Sequence, residues 1–576
     1  MSLNEQVVRA ASSAHPRPLN TTFAYGTAGF RANADTLDST MFRVGLLAAL
    51  RSKKLAGQHI GVMVTASHNP EQDNGVKLVD PHGEMLHSSW EQYATLLANA
   101  TSDDALVTTL HHVIQATGVD LAVKANVVYG HDTRPSCRSL VRAVVDGLAA
   151  LDTDQVNAGL VTTPQLHYLV RCLNTQGSSD AYGEPSVEGY YHKLAAAYTT
   201  LATGRHLLPA LTVDCANGVG APKLKEFLKV VGTDLLPLVT VRDTTTVAGS
   251  LNKDCGADFV KTQQRAPRGV DLVPWQRYAS FDGDADRIVF YYADAEGTFH
   301  LLDGDKIAGL VAGFILDLVR DAGLDDVKVG VVQTAYANGA STKYLTEVLG
   351  VPVTCVPTGV KHLHHAAESY DVGVYFEANG HGTVLFSPAT LSLLSSPGPS
   401  SPTASQSAAL SNLRALVDLI NQTVGDALSD LLLVETILLH RQWSPAQWDS
   451  AYSDLPNRLV KVLVTDRTAF VTSDAERRLD RPEGVQARID EAVRGVEGGR
   501  SFVRPSGTED CVRVYAEANT RQAADGASLF LPLVITDPPR RAAGLTRTTP
   551  GADLANKVAR IVHDKFGKGP QPASFF

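Results

Sequence analysis

The sequence has no block of basic residues, no closely spaced pair of cysteines and no apolar run of membrane-spanning length. Its 51 Lys and Arg are outnumbered by 61 Asp and Glu, and the formal net charge of −10 argues against nucleic acid as a partner. The six cysteines are scattered without C-x-x-C spacing. They predict buried free thiols in a reducing compartment, and they exclude a disulfide framework and a zinc site.

The longest apolar stretch, IAGLVAGFIL after Lys306, is too short to cross a bilayer. The first twenty residues contain no apolar core of signal-peptide length. We therefore expect a soluble, cytoplasmic protein with no membrane partner. At 576 residues, of which 44% are hydrophobic, the chain is long enough for three or four domains.

Several segments repeat an apolar strand, a Gly- or Asn-rich turn and an amphipathic helix, as in NVVYGHDTRPS followed by SLVRAVVDGLAAL. This alternation predicts βαβ units with mostly parallel sheets, whose ligands lie beyond the carboxyl ends of the strands. From about residue 455, short strands with helices between them predict a smaller α+β domain. Two segments break the pattern and are interpreted as insertions: 387–411, rich in Ser, Pro and Ala and expected to be mobile, and 521–550.

Three carboxylates alternate with small residues in FDGDADRIVFYY, between two strand-like runs. Asp282, Asp284 and Asp286 repel one another at this spacing, and a hard cation relieves the repulsion. An EF-hand is excluded, because Arg287 stands at its glycine position and Ala293 at its bidentate Glu position. The loop favours one Mg²⁺ that keeps coordination positions for a phosphate oxygen. The alternative is a solvated acidic turn, against which Arg287 argues.

The stretch RPSGTED begins at Arg504 and is followed by a second arginine, Arg513. It combines guanidinium forks, hydroxyls and a close backbone approach, which together hold a phosphate dianion. Taken alone, the same residues also make a plain turn. The candidate phosphate ligands are Arg504, Pro505, Ser506, Gly507, Thr508 and Arg513.

A third stretch, VYFEANGHGTVLF, delivers polar residues from a strand into a Gly-broken loop. Glu377 and Asn379 offer acceptors and donors for paired sugar hydroxyls. A hairpin turn with a spare carboxylate is the alternative. The candidate sugar ligands are Glu377, Ala378, Asn379, Gly380 and His381.

The fourth stretch, VTASHNPEQDNGVKL, places Ser67, His68 and Lys77 on one broken loop. It lacks the G-x-S-x-G pattern of a serine hydrolase. A serine that carries a phosphoryl group fits better, because it requires Mg²⁺, a cationic neighbour and a second phosphate site. The other three stretches supply those parts.

In this order and at these spacings, TASHNP…DNGVK, DGDADR, EANGHG and RPSGTED resemble the α-D-phosphohexomutase superfamily. YGTAGFR, GHDTRPS and GVVQTAYANG support the resemblance. The sugar loop Glu377-Ala378-Asn379-Gly380 and the segment LNKDCGADFVK are similar to the eukaryotic phosphoacetylglucosamine mutases. Phosphoglucomutases and bacterial phosphomannomutases look more like E-x-S-G or E-E-S at this loop.

The resemblance implies a heart-shaped, four-domain α/β fold with mixed sheets. Three related α/β domains and a smaller C-terminal α+β domain each lend one loop to a central cleft. We expect the domains to span residues 1–195, 196–300, 301–445 and 455–576.

The resemblance also implies interconversion of N-acetylglucosamine 6-phosphate and 1-phosphate, toward UDP-N-acetylglucosamine, by a monomer or weak dimer. Phosphorylated Ser67 exchanges its phosphoryl group through a 1,6-bisphosphate, and Mg²⁺ is held by that phosphate and the three aspartates. Arg31, His68 and Lys77 are candidates for charge stabilisation and proton transfer, with Lys77 preferred as the base if it is desolvated. The alternative role for Arg31 is an ion pair at a domain interface. The alternative role for His68 is a hydrogen bond to the backbone of the loop.

Three other functions remain open at this point. The first is a phosphoglucomutase or phosphomannomutase of broad specificity, against which Asn379 weighs only modestly. The second is an inactive sugar-phosphate sensor, although no motif residue is lost. The third is a Mg²⁺-dependent phosphatase.

Overall fold

The protein is described by a computed structural model that covers residues 3–26, 28–396, 402–506, 510–520, 553–569 and 572. It divides into two compact units. The first unit comprises Met1–Val332 and His364–Ser450, and the second comprises Gln333–Leu363 and Ala451–Phe576. The four domain boundaries expected from the sequence stay a prediction.

The first sheet is built from five strands: β1 (Phe30–Asn33), β2 (His59–Val64), β3 (Asp73–Val79), β4 (Ala125–His131) and β5 (Thr153–Leu160). Its order is β1-β3-β2-β4-β5, with β2, β4 and β5 parallel and β3 antiparallel to both of its neighbours. The helices of this region are α1 (Glu5–Ser12), α2 (Asp38–Lys54), α3 (Ser88–Ala98), α4 (Asp103–Thr117), α5 (Cys137–Ala149) and α6 (Thr163–Thr175). Buried α2 residues such as Phe42 and Leu47 join the core formed with β2 and β4.

The second sheet repeats this arrangement with β6 (Leu211–Asp214), β7 (Leu238–Val241), β8 (Tyr278–Phe281), β9 (Ile288–Ala293) and β10 (Phe299–Leu302). Its order is β10-β9-β8-β6-β7, with β6, β7 and β8 parallel and β9 antiparallel to β8 and β10. The accompanying helices are α7 (Val187–Ala202), α8 (Gly220–Val231), α9 (Ala257–Gln263) and α10 (Gly304–Asp321).

The remaining elements up to residue 450 include β11 (Val329–Thr334), α11 (Gly339–Lys343), β12 (Val353–Val356), α12 (Val360–Ala367), β13 (Val372–Phe376), β14 (Gly382–Phe386), α13 (Pro388–Ser395), α14 (Ala404–Leu419), α15 (Ala427–Arg441) and α16 (Pro445–Asp449). In the first unit, β13 pairs parallel with β11 and antiparallel with β14. The predicted α/β fold with mixed sheets is confirmed.

One connection recurs in all three sheets of the first unit. A strand with a parallel neighbour ends in a short loop and returns as its own antiparallel partner, as β2 to β3, β8 to β9 and β13 to β14. The serine, aspartate and sugar stretches occupy these three loops. The loops beyond carboxyl strand ends are where ligands were expected.

The segment 387–411, interpreted from the sequence as a mobile insertion, contains the starts of two helices, and its mobility stays a prediction. Helix α13 begins in it with Pro388 after the capping residue Ser387, and α14 begins with a capping box between Thr403 and Gln406. Buried Leu394 and Leu410 anchor the two helices. Residues 397–401 of the segment, and all of 521–550, lie outside the described residues.

The second unit contains the smaller α+β region. Its elements after residue 450 are β15 (Asn457–Leu463), β16 (Val471–Ser473), β17 (Arg478–Arg481), α17 (Val485–Arg494), β18 (Arg500–Pro505), β19 (Cys511–Glu517) and α18 (Asp553–Phe566). The antiparallel sheet β15-β19-β18 shares an apolar core with α17 and α18. The phosphate stretch connects β18 to β19, and therefore repeats the strand–loop–antiparallel-strand arrangement.

All six cysteines are free and five are buried, as the sequence predicts. Among the helices of the described ranges, none is both long and apolar enough to cross a membrane.

Candidate active site

Ser67 is the third residue after β2 and is fully buried. Its hydroxyl donates a hydrogen bond to Oδ2 of Asp282 at 2.6 Å. Its backbone lies in the left-handed region, with φ of 52°. That conformation costs a residue with a side chain about 1–2 kcal/mol and is common at functional sites. The predicted nucleophile therefore lies against the predicted metal loop.

Asp282, Asp284 and Asp286 follow β8, and their carboxylate oxygens lie within 4.8 Å of one another. All three are buried. Burial and the charges of Asp286 and Asp284 raise the pKa of Asp282 well above its usual range. Oδ1 of Asp284 has no hydrogen-bond partner in the described part of the chain. An unsatisfied carboxylate oxygen in an all-oxygen cluster fits a hard cation such as Mg²⁺.

Lys77 lies on β3 and pairs with this cluster. Its Nζ is 2.8 Å from Oδ2 of both Asp284 and Asp286. Burial lowers the pKa of Lys77, but these two carboxylates outweigh it, so the pKa is raised. The interpretation of Lys77 as a base depends on its desolvation. Lys77 is indeed desolvated, but the carboxylates offset the effect of desolvation on its pKa. A role as the base stays a prediction.

His68 lies between the serine and a residue that sequence reasoning missed. Its Nδ1 is 3.2 Å from Oδ2 of Asp258 and 3.5 Å from Oγ of Ser67. Burial and the charge of Arg287 lower the pKa of His68 to about 4, against the opposing effect of Asp258. Nη1 of Arg287 also donates to Asp258 at 2.8 Å. Asp258 belongs to helix α9 and lies within the segment LNKDCGADFVK, which supported the family resemblance but predicted no site residue.

Arg31 lies on β1, opposite Gly75 of β3. Burial and the charge of Arg287 lower its pKa, and the carboxylates of the aspartate loop oppose that shift. Its guanidinium is therefore within electrostatic reach of the aspartates.

Thr163, a second residue missed by sequence reasoning, donates to Oδ2 of Asp284 at 2.6 Å.

The sugar loop is ordered by its own polar groups. Nδ2 of Asn379 donates to Oε2 of Glu377 at 3.3 Å, and N of His381 donates to Oδ1 of Asn379 at 3.0 Å. Nδ1 of His381 lies 3.3 Å from Oδ1 of Asp286. The carbonyl of Ala378 accepts from N of Gly304 at 3.5 Å. The sugar loop therefore adjoins the aspartate loop.

Gly380 allows this close approach. Its φ is +86°, and a Cβ at this position would lie 1.8 Å from the carbonyl oxygen of Ile288. N of Ile288 donates to the carbonyl of Gly380 at 3.2 Å. The glycine is thus required both by its conformation and by the strand that follows the aspartates.

In the second unit, Arg504 and Arg513 are cross-strand partners on β18 and β19. Like charges at such positions repel unless an anion joins them. Nη1 of Arg504 contacts both carboxylate oxygens of Glu476, which sequence reasoning missed. Pro505 ends β18 and Ser506 is buried, whereas Gly507 and Thr508 lie outside the described residues.

The first unit therefore brings together all predicted catalytic, metal and sugar residues. The predicted phosphate ligands belong to the second unit, where the described ones cluster around the end of β18.

Family models match most of the chain. Phosphoacetylglucosamine mutase AMG1, domain II, matches residues 180–289, and its domain III matches 303–443. The alpha/beta/alpha domain I of phosphoglucomutase/phosphomannomutase matches 31–104 and 97–179, and the C-terminal domain of that family matches 459–527.

Curated and solved relatives cover nearly the full length. Phosphoacetylglucosamine mutase of Sus scrofa is 51% identical over 91% of this chain and 96% of its own length. The crystal structure of Aspergillus fumigatus N-acetylphosphoglucosamine mutase in complex with GlcNAc-6P and magnesium is 50% identical with a TM-score of 0.90, and covers 98% of this chain and 99% of that one. A serine-to-alanine variant of the Aspergillus enzyme, in complex with glucose 1,6-bisphosphate, is 49% identical with a TM-score of 0.90 and covers 99% of this chain and 100% of that one. Similarity of this extent shows that the chain belongs to the phosphoacetylglucosamine mutase family, within the α-D-phosphohexomutase superfamily.

Proposed function

We propose that this chain interconverts N-acetylglucosamine 6-phosphate and N-acetylglucosamine 1-phosphate, a step toward UDP-N-acetylglucosamine. The observation that carries the proposal is the 2.6 Å hydrogen bond from Ser67 to Asp282, because it joins a buried hydroxyl to a metal-type carboxylate cluster. Relatives that carry this activity in their names, one of them solved with GlcNAc-6P, support the choice of substrate.

The reaction starts from Ser67 carrying a phosphoryl group. The Oγ–P bond breaks, a bond forms between phosphorus and the free sugar hydroxyl oxygen, and the hydroxyl proton ends on Oγ. The sugar is then a 1,6-bisphosphate, which turns end for end and returns its other phosphoryl group to Ser67. The relative solved with glucose 1,6-bisphosphate supports a bisphosphate ligand of this class.

Asp282, Asp284 and Asp286, together with the Ser67 phosphate, would hold one Mg²⁺. The unsatisfied oxygen of Asp284 and the magnesium complex of the Aspergillus relative support this assignment. When bound, the ion neutralises negative charge on the transferring phosphoryl group. Arg287 holds Asp258 beside the same loop and adds positive charge there.

Glu377 and Asn379 bind the sugar hydroxyls at positions 3 and 4, whose near-symmetric placement tolerates the turn. Ala378, Gly380 and His381 shape that loop. Arg504, Arg513 and the rest of the RPSGT loop grip the phosphate that is not reacting, and this grip places the acceptor hydroxyl in line. The cross-strand pairing of Arg504 and Arg513 supports a phosphate ligand.

Arg31, His68 and Lys77 handle charge and protons around the transferring group. Nδ1 of His68 lies 3.5 Å from the Ser67 hydroxyl. Lys77 supplies positive charge to the carboxylates that it contacts.

The test follows phosphorus signals by NMR after the protein is mixed with N-acetylglucosamine 6-phosphate, Mg²⁺ and a trace of a sugar 1,6-bisphosphate. Growth of an anomeric 1-phosphate signal to a stable ratio is expected. Release of free phosphate would identify a phosphatase. Conversion of glucose 6-phosphate in preference to the acetamido sugar, compared by kcat/KM, would identify the broad-specificity mutase instead.

A further inference from the structure

We propose that Arg134 and Asn252 are positioning residues that hold the Ser67 backbone in its reacting conformation. The inference rests on the proposed role of Ser67 in phosphoryl transfer. Both act through the carbonyl group of Ser67.

The two side chains share the same two acceptors. Nη2 of Arg134 and Nδ2 of Asn252 donate to the carbonyl oxygen of Ser67, at 3.1 Å and 2.8 Å. The same two nitrogens donate to the carbonyl oxygen of Asn69, at 2.7 Å and 3.0 Å. Four hydrogen bonds therefore fix the turn that carries the serine.

Arg134 is itself held rigidly. It forms a fully buried ion pair with Asp132, and its Nε donates to the carbonyl of Asp73 at 2.8 Å. Oδ2 of Asp132 also accepts from the Thr65 hydroxyl at 2.7 Å, and Thr65 Oγ1 accepts from N of Ser67 at 3.1 Å. The N–H and the C=O of Ser67 thus both connect to one buried network.

Asn252 reaches the same carbonyl from the segment between β7 and α9. Its backbone N donates to the carbonyl of Ala216 at 3.0 Å, beyond the end of β6. Gly283, which stands between Asp282 and Asp284, packs against this pair of groups. A Cβ at Gly283 would lie 2.5 Å from the carbonyl oxygen of Ser67 and 2.8 Å from Nδ2 of Asn252. Asn252 therefore ties the serine turn to the sheet that carries the metal loop.

This arrangement stabilises a conformation that Ser67 does not favour by itself. At φ of 52°, its backbone is strained for any residue with a Cβ. Without the two donors, relaxation of φ rotates the Cα–Cβ bond and moves Oγ away from Asp282. Phosphoryl transfer depends steeply on alignment, and a displacement of about 1 Å costs on the order of 100-fold in rate.

The test compares Asn252→Ala with Asn174→Ala in the full-length protein. Nδ2 of Asn174 also donates to backbone carbonyls, those of His59, Pro81 and Val170, but none belongs to the serine turn. Both asparagines are half-buried in the same unit, so the control removes the same kind of interaction. Dephosphorylated protein is mixed with glucose 1,6-bisphosphate that carries radiolabelled phosphate, and label on Ser67 is followed in time.

We expect Asn252→Ala to slow labelling and to lower kcat by roughly 10- to 100-fold, with KM for the sugar phosphate unchanged within about threefold. Final labelling stoichiometry should match that of Asn174→Ala. Arg134→Lys keeps the charge beside Asp132 but loses the fork, and should reproduce the slow labelling.

Equal labelling rates in Asn252→Ala and Asn174→Ala would overturn the positioning role while the proposed function stood. A rise in KM with unchanged kcat would overturn it as well, because that result indicates a binding contact. If the unmodified protein and the Asn174 variant both took no label, the role of Ser67 itself would fall, and the inference with it.

Discussion

Nη1 of Arg504 lies 3.1 Å from Oε2 and 3.2 Å from Oε1 of Glu476, so one guanidinium nitrogen already contacts a carboxylate. Oε2 of Glu476 also accepts from the hydroxyl and the backbone N of Thr358, at 2.5 Å and 3.0 Å. Glu476 thus engages one nitrogen of the residue that is proposed to bind the distal phosphate, and a phosphate must compete with it for that nitrogen.

Glu476→Gln should therefore lower KM for the sugar phosphate, by about 3- to 10-fold, because a neutral amide competes less strongly for the guanidinium. Steady-state kinetics measure this, with Glu491→Gln on the exposed face of α17 as the control. A higher KM would show that Glu476 orients Arg504 and does not compete with substrate.

Arg504→Ala should raise KM by about 10- to 100-fold, since charge-assisted hydrogen bonds contribute roughly 1.5–3 kcal/mol. The same kinetic assay measures it, and exposed Arg488→Ala on α17 is the control. An unchanged KM would mean that the phosphate binds elsewhere.

Ser67→Ala should abolish nearly all turnover while N-acetylglucosamine 6-phosphate still binds, because only the group that carries the phosphoryl is lost. Activity and calorimetric binding are measured in parallel, with Ser89→Ala on the surface as the control. Full activity in the variant would remove Ser67 from the mechanism.

Lys77→Met should destabilise the metal-free protein by about 3–5 kcal/mol, because two buried carboxylates lose their cation. Added Mg²⁺ should then raise the melting temperature more than in the unmodified protein, since the ion no longer competes with an ammonium. Thermal unfolding with a chelator and with Mg²⁺ measures both effects.

Lys53→Met is the matched control for that measurement. Lys53 is also buried, but its Nζ donates to the carbonyls of Leu121 and Val123 and faces no aspartate loop. An equal Mg²⁺ response in the two variants would contradict competition between Lys77 and the ion.

Gly380→Ala should lower the melting temperature and raise KM far more than Gly297→Ala. Both glycines have positive φ, +86° and +79°, so both variants pay a similar backbone cost of about 1–2 kcal/mol. Only Gly380 faces a carbonyl, whereas nothing lies within 4 Å of a Cβ at Gly297. Equal effects would mean that the approach of Gly380 to Ile288 does not matter.

The sequence predicted the α/β fold and the serine, aspartate and sugar stretches that meet in the first unit, because each stretch is contiguous and carries its chemistry within a few residues. The partners of those residues were not predictable in this way. Asp258 and Thr163 reach the site only through sheet pairing and helix placement. Asp258 lies within LNKDCGADFVK, but that segment indicated a family and no role for its residues, and a lone Thr carries no local signal. Glu476 is likewise an ordinary turn residue until β16 and β17 pair.

Lys77 illustrates a different limit of prediction from the sequence. Its residue type and burial were consistent with a desolvated base, yet its pKa depends on two carboxylates located 207 and 209 residues later in the chain. Segment 387–411 is a related case, since its low charge concealed the capping residues with which two helices begin.

The recurrent strand–loop–antiparallel-strand connection limits how such a site can evolve. The two strands that flank each loop are hydrogen-bonded to each other. An inserted residue therefore shifts the register of the returning strand and turns its side chains to the opposite face. Residue identity within a loop can change without that penalty. Selection for a new sugar should therefore succeed through substitutions in the Glu377–His381 loop and fail through changes in its length.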